Sequence, residues 1–186
     1  KEAEASGQDF TFGTAYNGGT VKVRQGAPAL PDIREDQGSY QFSNAEVMAI
    51  LLDRETATEV PYSGGSLDTV NKNHARNPRK NVYLSVNKQP STVGEPGIGP
   101  DLVFRDPWGN PYIISLDMNY DNKTRDSFYR LPAVSQMDGN KGYNGLVSSD
   151  GSNFDLHAPV MVWSLGPDGQ ANSGVKADQG VNADNI

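Results

Sequence analysis

The chain has 186 residues, a formal net charge of −7 and no cysteine. Its length fits a single domain over residues 1–186, and the 20 glycines and 12 prolines favour a loop-rich globular fold over a helical bundle. The acidic charge disfavours nucleic acid and anionic lipid as partners, because both are bound through Lys and Arg. The absence of cysteine excludes disulfides, thiolate metal sites and cysteine nucleophiles.

The N-terminal half contains one clear helix signal. Residues 10–23 mix aromatic and apolar residues with glycines, and they fit a short hairpin that turns at 17–19. Ser-Asn-Ala-Glu at 43–46 has the form of a capping box, and apolar residues then recur every three or four positions. This pattern predicts a helix over about 44–54.

Three later segments have the composition of strands, namely 81–86, 112–116 and 160–165. The segment 117–151 is polar with scattered aromatic residues, so it is either a functional loop or contains a short strand near 127–131. One helix followed by strands and prominent loops predicts an α+β fold with a small antiparallel sheet.

The segment Asp-Pro-Trp-Gly-Asn-Pro-Tyr at 106–112 predicts a rigid turn. Its two prolines fix φ near −65° and remove two backbone donors, while Gly109 gives the freedom that a reversal needs. The turn would present Trp108 and start the strand at Tyr112. Its residue types favour a structural role over a catalytic one.

This turn resembles the characteristic turn of the major pseudopilins of type II secretion systems. Trp-Ser-Leu-Gly-Pro-Asp-Gly at 163–169 and Ala-Asp-Asn-Ile at 183–186 are similar to that family's Tyr-Ser-Leu-Gly-Ala-Asp-Gly and Ala-Asp-Asp-Ile. Asn-Ala-Glu-Val-Met at 44–48, with Asn-Pro-Arg-Lys at 77–80, is similar to a pilin-like subgroup. The resemblance implies a pilin-like head.

The family also has an apolar N-terminal helix that anchors each subunit in the inner membrane. The present sequence has no apolar run of about 18 residues, so the resemblance implies a soluble head from which that helix is missing. It further implies a location in the periplasm or cell envelope. The expected partners are other pseudopilin subunits and secretion-system components, with the membrane reached only through the missing helix.

The C-terminal segment, about residues 164–186, is rich in Gly and Asp and poor in apolar residues. Such a segment stays disordered unless something binds it. The resemblance implies that calcium does so. Its ligands would be the Leu165 carbonyl oxygen and the side chains of Asp168, Asp184 and Asn185. Asn185 stands where the family has a second Asp, and its neutral amide would weaken the site.

Asp178 is a further candidate ligand, without a motif match, because the loop is longer here than in the family. The alternative for the whole segment is a solvated acidic tail. A second candidate metal site is Asp-Met-Asn-Tyr-Asp at 117–121, which begins like an EF-hand loop. Asn122 and Phe128 then break that pattern, so a turn with Asx hydrogen bonds is favoured.

The sequence contains only weak evidence for an enzyme. His74 and His157 have no second histidine at metal-ligand spacing, which favours surface or packed histidines. The known nucleophile, zincin, phosphate-loop and dinucleotide motifs are absent from the sequence. Asp101 and Asp106 are a carboxylate pair of the kind that glycosidases use, although such pairs are common. We therefore expect a protein that is not an enzyme.

The leading hypothesis is a structural subunit that assembles head to tail into a filament, with calcium stabilising its C-terminal loop. The alternative is a calcium-stabilised extracellular binding or adhesive module that uses loops 89–100 and 117–151; a hydrolase is the third possibility. Basic residues at Arg76, Arg79 and Lys80 are either a solvated face or one side of a contact with an acidic neighbouring subunit.

Overall fold

The computed structural model describes residues 9–13, 40–58, 67–86, 89–148 and 150–185. The predicted hairpin therefore lies largely outside the described residues. The elements, in chain order, are β1 (Phe10–Phe12), β2 (Tyr40–Phe42), α1 (Ala45–Leu51), β3 (Gly97–Ile98), β4 (Phe104–Arg105), β5 (Ile113–Leu116), α2 (Pro132–Ser135), β6 (Gln136–Asp138), β7 (Lys141–Gly142) and β8 (Val160–Trp163). Short helices, small antiparallel sheets and long loops confirm the α+β class.

The largest sheet has four strands in the order β2-β1-β5-β8. β5 and β8 pair antiparallel, with Ile113 opposite Trp163 and Leu116 opposite Val160. The first three residues of β5 are buried, as expected for a strand with a neighbour on each side. The strands predicted at 112–116 and 160–165 are thus confirmed, each within two residues of its predicted ends.

The described residues fall into two compact units. The first contains residues 9–11, 40–41 and 113–185, and the second contains residues 12–13, 42–58, 67–86 and 89–112. The predicted C-terminal site lies wholly in the first unit.

Helix α1 begins one residue after its N-cap, Asn44, and buries Ala45, Met48 and Ala49. The Ser43 hydroxyl accepts a hydrogen bond from the Ala45 amide at 3.2 Å. The predicted helix is confirmed, but it ends three residues early because Asp53, at φ 52°, has left-handed backbone that a helix cannot continue through.

The side chain of Asn44 joins this helix to the backbone on either side of the turn at 106–112. It is fully buried, and its Nδ2 donates to the carbonyl oxygens of Phe104 and Tyr112, both at 2.8 Å. Its Oδ1 accepts from the Phe104 amide at 3.0 Å. Asn44 therefore pairs with the Phe104 amide and the Tyr112 carbonyl, and it gives a second donor to the Phe104 carbonyl, which also accepts from the Tyr112 amide at 3.0 Å.

The turn at 106–112 is confirmed. Asp106 Oδ1 accepts from the amides of Trp108 and Asn110, both at 2.9 Å, and the Asp106 amide donates to the Asn110 carbonyl at 2.8 Å. Gly109 has φ 94°, which supplies the reversal. The turn is thus built around one buried carboxylate, and Trp108 is half-buried beside it.

The strand prediction at 81–86 is wrong, and the strand considered as one alternative near 127–131 is not found there. Residues 81–86 belong to no strand among the described residues. The Tyr83 amide instead donates to the carbonyl of Leu51 at 2.8 Å, and Val82 and Tyr83 are exposed. Residues 127–131 likewise form a turn. The short strands of that region are β6 and β7, which pair with each other.

A buried carboxylate organises the core of the first unit. Asp126 Oδ2 accepts from the Ser115 hydroxyl at 2.6 Å and from Trp163 Nε1 at 3.1 Å. Its Oδ1 accepts from the amides of Phe128 and Tyr129, at 2.9 and 2.8 Å. The Trp163 ring also stacks on Phe128 and meets Tyr129 edge-on, with centroids 5.4 and 4.9 Å away.

Candidate metal site

The C-terminal segment folds around Asn182, whose side chain is fully buried. Its Nδ2 donates to the carbonyl oxygens of Asn172 and Val175, at 2.9 and 2.7 Å, and its Oδ1 accepts from the Asn172 amide at 2.8 Å. One side chain thus connects the short 3-10 helix Gly180–Asn182 to the preceding part of the segment.

Two further hydrogen bonds attach the segment to α2. The Ala177 amide donates to the Val134 carbonyl at 2.9 Å, and Lys176 Nζ donates to the Pro132 carbonyl at 2.8 Å. The middle of the segment is therefore held by the protein itself, which the sequence did not indicate. Any role for a metal falls on the two ends of the segment.

Those two ends lie against each other. Gly166 has φ 64°, and a Cβ at this position would come within 2.3 Å of the Asp184 carbonyl oxygen, so only glycine fits. The Asp168 amide donates to Asp184 Oδ2 at 3.4 Å, and Asp168 Oδ1 accepts from the Gln170 amide at 2.8 Å. The Asp168 backbone is thus held beside the Asp184 carboxylate.

The Asn185 side chain makes a further contact between the two ends of the segment. One of its two terminal atoms lies 3.2 Å from both the Leu165 and the Gln170 carbonyl oxygens, and with Nδ2 at that position it donates to both. The side chain also hydrogen-bonds the Tyr129 hydroxyl. Burial, together with the negative charge of Asp126, raises the pKa of Tyr129, so that hydroxyl stays protonated.

The spacing of the Asn185 amide and the two carbonyl oxygens can be compared with that of calcium ligands. Oxygens that share one calcium ion at ~2.4 Å, with a right angle between them, lie about 3.4 Å apart. The Asn185 position lies 3.2 Å from each of the two carbonyl oxygens, which matches that spacing when Oδ1 faces them. Asp168 and Asp184 add carboxylates at the two ends of the same segment, and carboxylate oxygens are ligands that calcium prefers.

Among the five predicted ligands, the Asn185 amide contacts the Leu165 carbonyl oxygen, and the Asp184 carboxylate accepts from the Asp168 backbone amide. Asp178 is exposed, and its carboxylate hydrogen-bonds the Tyr143 hydroxyl. The carbonyl of Gln170, which also contacts the Asn185 amide, was not predicted because Gln170 belongs to no recognised motif. No group of three or more His, Cys, Asp or Glu side chains in the described ranges is placed to hold a metal, so this site depends on carbonyl and amide oxygens.

The second candidate metal site is an Asx turn, as the sequence favoured. Asp117 Oδ1 accepts from the Tyr120 amide at 2.6 Å, and its Oδ2 accepts from the Asn122 amide at 2.8 Å. Asn119 Oδ1 accepts from the Asp121 amide at 3.1 Å. These side-chain oxygens accept hydrogen bonds from the backbone amides of their own loop.

Asp101 and Asp106, the carboxylates considered for a hydrolase, bind other groups of the protein. Asp101 is buried in a bidentate ion pair with Arg105, with Nη1–Oδ1 and Nη2–Oδ2 distances of 3.0 and 2.8 Å. Asp106 accepts hydrogen bonds from the backbone amides of the turn at 106–112.

The two histidines match the surface and packed positions that their isolation in the sequence favoured. His157 is exposed, and His74 is half-buried. His74 lies between two carboxylates, with Nδ1 2.9 Å from Asp53 Oδ1 and Nε2 3.1 Å from Glu55 Oε1.

No protein-family model, no curated protein and no solved structure matches the chain. Among the residues that the structure describes, no helix is long and apolar enough to span a bilayer.

Proposed function

We propose that the chain is a structural subunit, the head of a pseudopilin-like protein that assembles with other subunits into a short filament of a type II secretion-like machine in the periplasm. It would act by assembling with other subunits and not by catalysing a reaction. Support comes from the sequence motifs at 106–112 and 163–169 and from the α+β fold with its confirmed turn. Calcium would hold the two ends of the C-terminal segment together, so that each head presents one fixed surface to its neighbours.

One observation carries this proposal. The two ends of a glycine-rich segment meet: the Asp168 amide donates to Asp184 Oδ2 at 3.4 Å, and the Asn185 amide lies 3.2 Å from the carbonyl oxygens of Leu165 and Gln170. The Asn182 hydrogen bonds already order the middle of the segment. Oxygen atoms of the kind that calcium binds are thus concentrated at the two ends, and this supports the proposed cation.

The calcium site predicts a selective gain in thermal stability. A ligand present at about 100 times its Kd adds about 2.7 kcal/mol to the free energy of unfolding, which raises the Tm of a domain of this size by about 5–10 °C. We expect this rise between EDTA and 1 mM calcium, and not with 1 mM magnesium, because magnesium requires stricter octahedral geometry.

Asp168→Ala and Asp184→Ala should each abolish the calcium-dependent rise. Asp138→Ala is the matched control, because Asp138 is an exposed carboxylate on β6 of the same unit. An equal rise in all four proteins, or none in the wild type, would contradict calcium binding at the C-terminal segment.

Assembly predicts a contact between unlike surfaces of neighbouring copies. Arg76, Arg79 and Lys80 are exposed, and the C-terminal segment exposes Asp178. In a chain of net charge −7, this basic cluster is complementary to the acidic segment of a second copy. Because the sequence has no cysteine, introduced thiols can be cross-linked without background.

We expect the double variant Arg79→Cys/Gln179→Cys to form a ladder of cross-linked multimers with a short thiol linker, while each single variant does not extend past dimers. The ladder should fade in 1 M salt, where the Debye length is about 3 Å. Asp138→Cys/Gln179→Cys is the control pair. A ladder of equal length from the control pair would argue against this contact, and a complete absence of multimers would favour the binding-module alternative.

A further inference from the structure

We infer that residues 76–83, here called the docking loop, form a two-part contact surface: basic side chains attract the acidic C-terminal segment of a second copy, and Tyr83 anchors that copy through its exposed ring. The inference rests on the proposed assembly and adds to it an apolar anchor beside the charges. Three properties of the docking loop support it, namely its exposure, its rigidity and its charge.

The docking loop exposes two large apolar side chains. Val82 is 67% exposed and Tyr83 is 59% exposed, and the two are neighbours in the sequence. Asn81 Nδ2 donates to the Tyr83 hydroxyl at 3.3 Å, which restrains the ring. Burying such side chains against a partner is favourable, and tyrosine is one of the residues on which the binding energy of protein interfaces concentrates. Tyr83 therefore has the exposure and the chemistry of an anchor.

The docking loop is exposed but is fixed to the end of α1 by hydrogen bonds. Asn77 is 3% exposed, and its Nδ2 donates to the carbonyl oxygens of Ile50 and Asn81, at 3.1 and 2.7 Å. Its Oδ1 accepts from the Asn81 amide at 3.3 Å. The Tyr83 amide donates to the Leu51 carbonyl at 2.8 Å. A surface that is already ordered loses little conformational entropy when it binds.

The turn of the docking loop is also strained. Lys80 has φ 55°, a left-handed backbone conformation that is costly for lysine. Its amide donates to the Asn77 carbonyl at 2.9 Å, so the same buried asparagine holds the strained residue in place. Backbone of this kind persists only where the surrounding structure determines it, and it is concentrated at functional sites. The strain keeps Arg79 and Lys80 at the exposed turn of the loop.

The docking loop concentrates positive charge on an acidic protein. Arg76, Arg79 and Lys80 are exposed, and within the described part of the chain Arg76 and Arg79 form no ion pair. The net charge of −7 already includes these three cations, so the remaining residues are more acidic still. A second copy therefore offers a complementary surface, and on its C-terminal segment the exposed carboxylate is that of Asp178.

Sedimentation velocity of the full chain, at about 50 mM and about 300 mM salt, measures the Kd of self-association. Tyr83→Ala should weaken self-association about 30-fold, the loss of a typical interface hot spot, and by the same factor at both salt concentrations. Arg79→Glu should weaken it about 10-fold at the lower salt and by less at the higher, because salt screens its contribution. Tyr120→Ala and Lys141→Glu are the matched controls, because both residues are exposed and lie outside the docking loop.

Exchanged charges test whether the partner is a second copy. Arg79→Asp and Asp178→Arg should each weaken self-association alone, and an equimolar mixture should restore it, because every contact then joins opposite charges. A mixture no stronger than either variant would overturn the C-terminal segment as the partner surface. Unchanged self-association of Tyr83→Ala and Arg79→Glu would overturn the inference and leave assembly through another surface. A wild type that stays monomeric would overturn the proposed assembly, and the inference with it.

Discussion

Replacing Asp126 by alanine is expected to lower the free energy of unfolding by roughly 4 kcal/mol. The side chain is 1% exposed and accepts four hydrogen bonds. Without it, two backbone amides and the indole of Trp163 are left buried without acceptors. Urea unfolding followed by circular dichroism measures the loss.

Two variants show whether the network or the charge is responsible. Ser115→Ala removes one of the four donors and should cost only about 1 kcal/mol. Asp126→Asn keeps the shape but sets an NH₂ group against the indole N–H of Trp163, so it should still cost about 2–3 kcal/mol. A loss for Asp126→Ala no larger than that for exposed Asp138→Ala, which should stay within about 0.5 kcal/mol, would refute the central role of Asp126.

Replacing Asn44 by alanine is expected to cost about 3 kcal/mol, because it leaves the Phe104 amide and the Tyr112 carbonyl without this partner, while the Phe104 carbonyl keeps the Tyr112 amide. Asn44→Asp should cost at least as much, since a buried carboxylate oxygen would then face the two carbonyls. The same unfolding measurement applies.

Asn81→Ala is the matched control for this second prediction. Its side chain makes one exposed hydrogen bond, 3.3 Å long, to the Tyr83 hydroxyl, so its loss should stay within about 0.5 kcal/mol. Equal stability of Asn44→Ala and Asn81→Ala would mean that water or another group replaces the Asn44 amide.

The features that could be predicted from sequence are those that neighbouring residues determine. Helix α1 follows from its apolar spacing, strands β5 and β8 from continuous apolar runs, and the turn at 106–112 from its prolines and Gly109. The strand prediction at 81–86 failed for the complementary reason. β-propensity describes a residue's fit to a pleated surface, but a strand also needs a partner, and the backbone here meets the end of α1 instead.

The candidate metal site, too, could be predicted from the sequence only in part. Leu165, Asp168, Asp184 and Asn185 were predicted because they match motif positions of the family that the sequence resembles. Gln170 matches no such position, and its carbonyl is a group that every residue has, so nothing in the sequence singled it out. Asn182 shows the same limit: its hydrogen bonds go to backbone groups 10 and 7 residues away, and an asparagine in a glycine-rich segment looks like any other loop residue.

The strand order β2-β1-β5-β8 also affects how the chain folds. β1 lies beside a strand that is synthesised much later: the hydrogen bond between the hydroxyls of Thr11 and Ser115 spans 104 residues. Closing so long a loop costs entropy before any contact compensates for it, which makes folding slow. At about 5–20 residues per second, a nascent chain would wait roughly 5–20 s with β1 lacking its later neighbour. During that interval the N-terminal strand depends on chaperones, or on its own solubility, to avoid pairing with other chains.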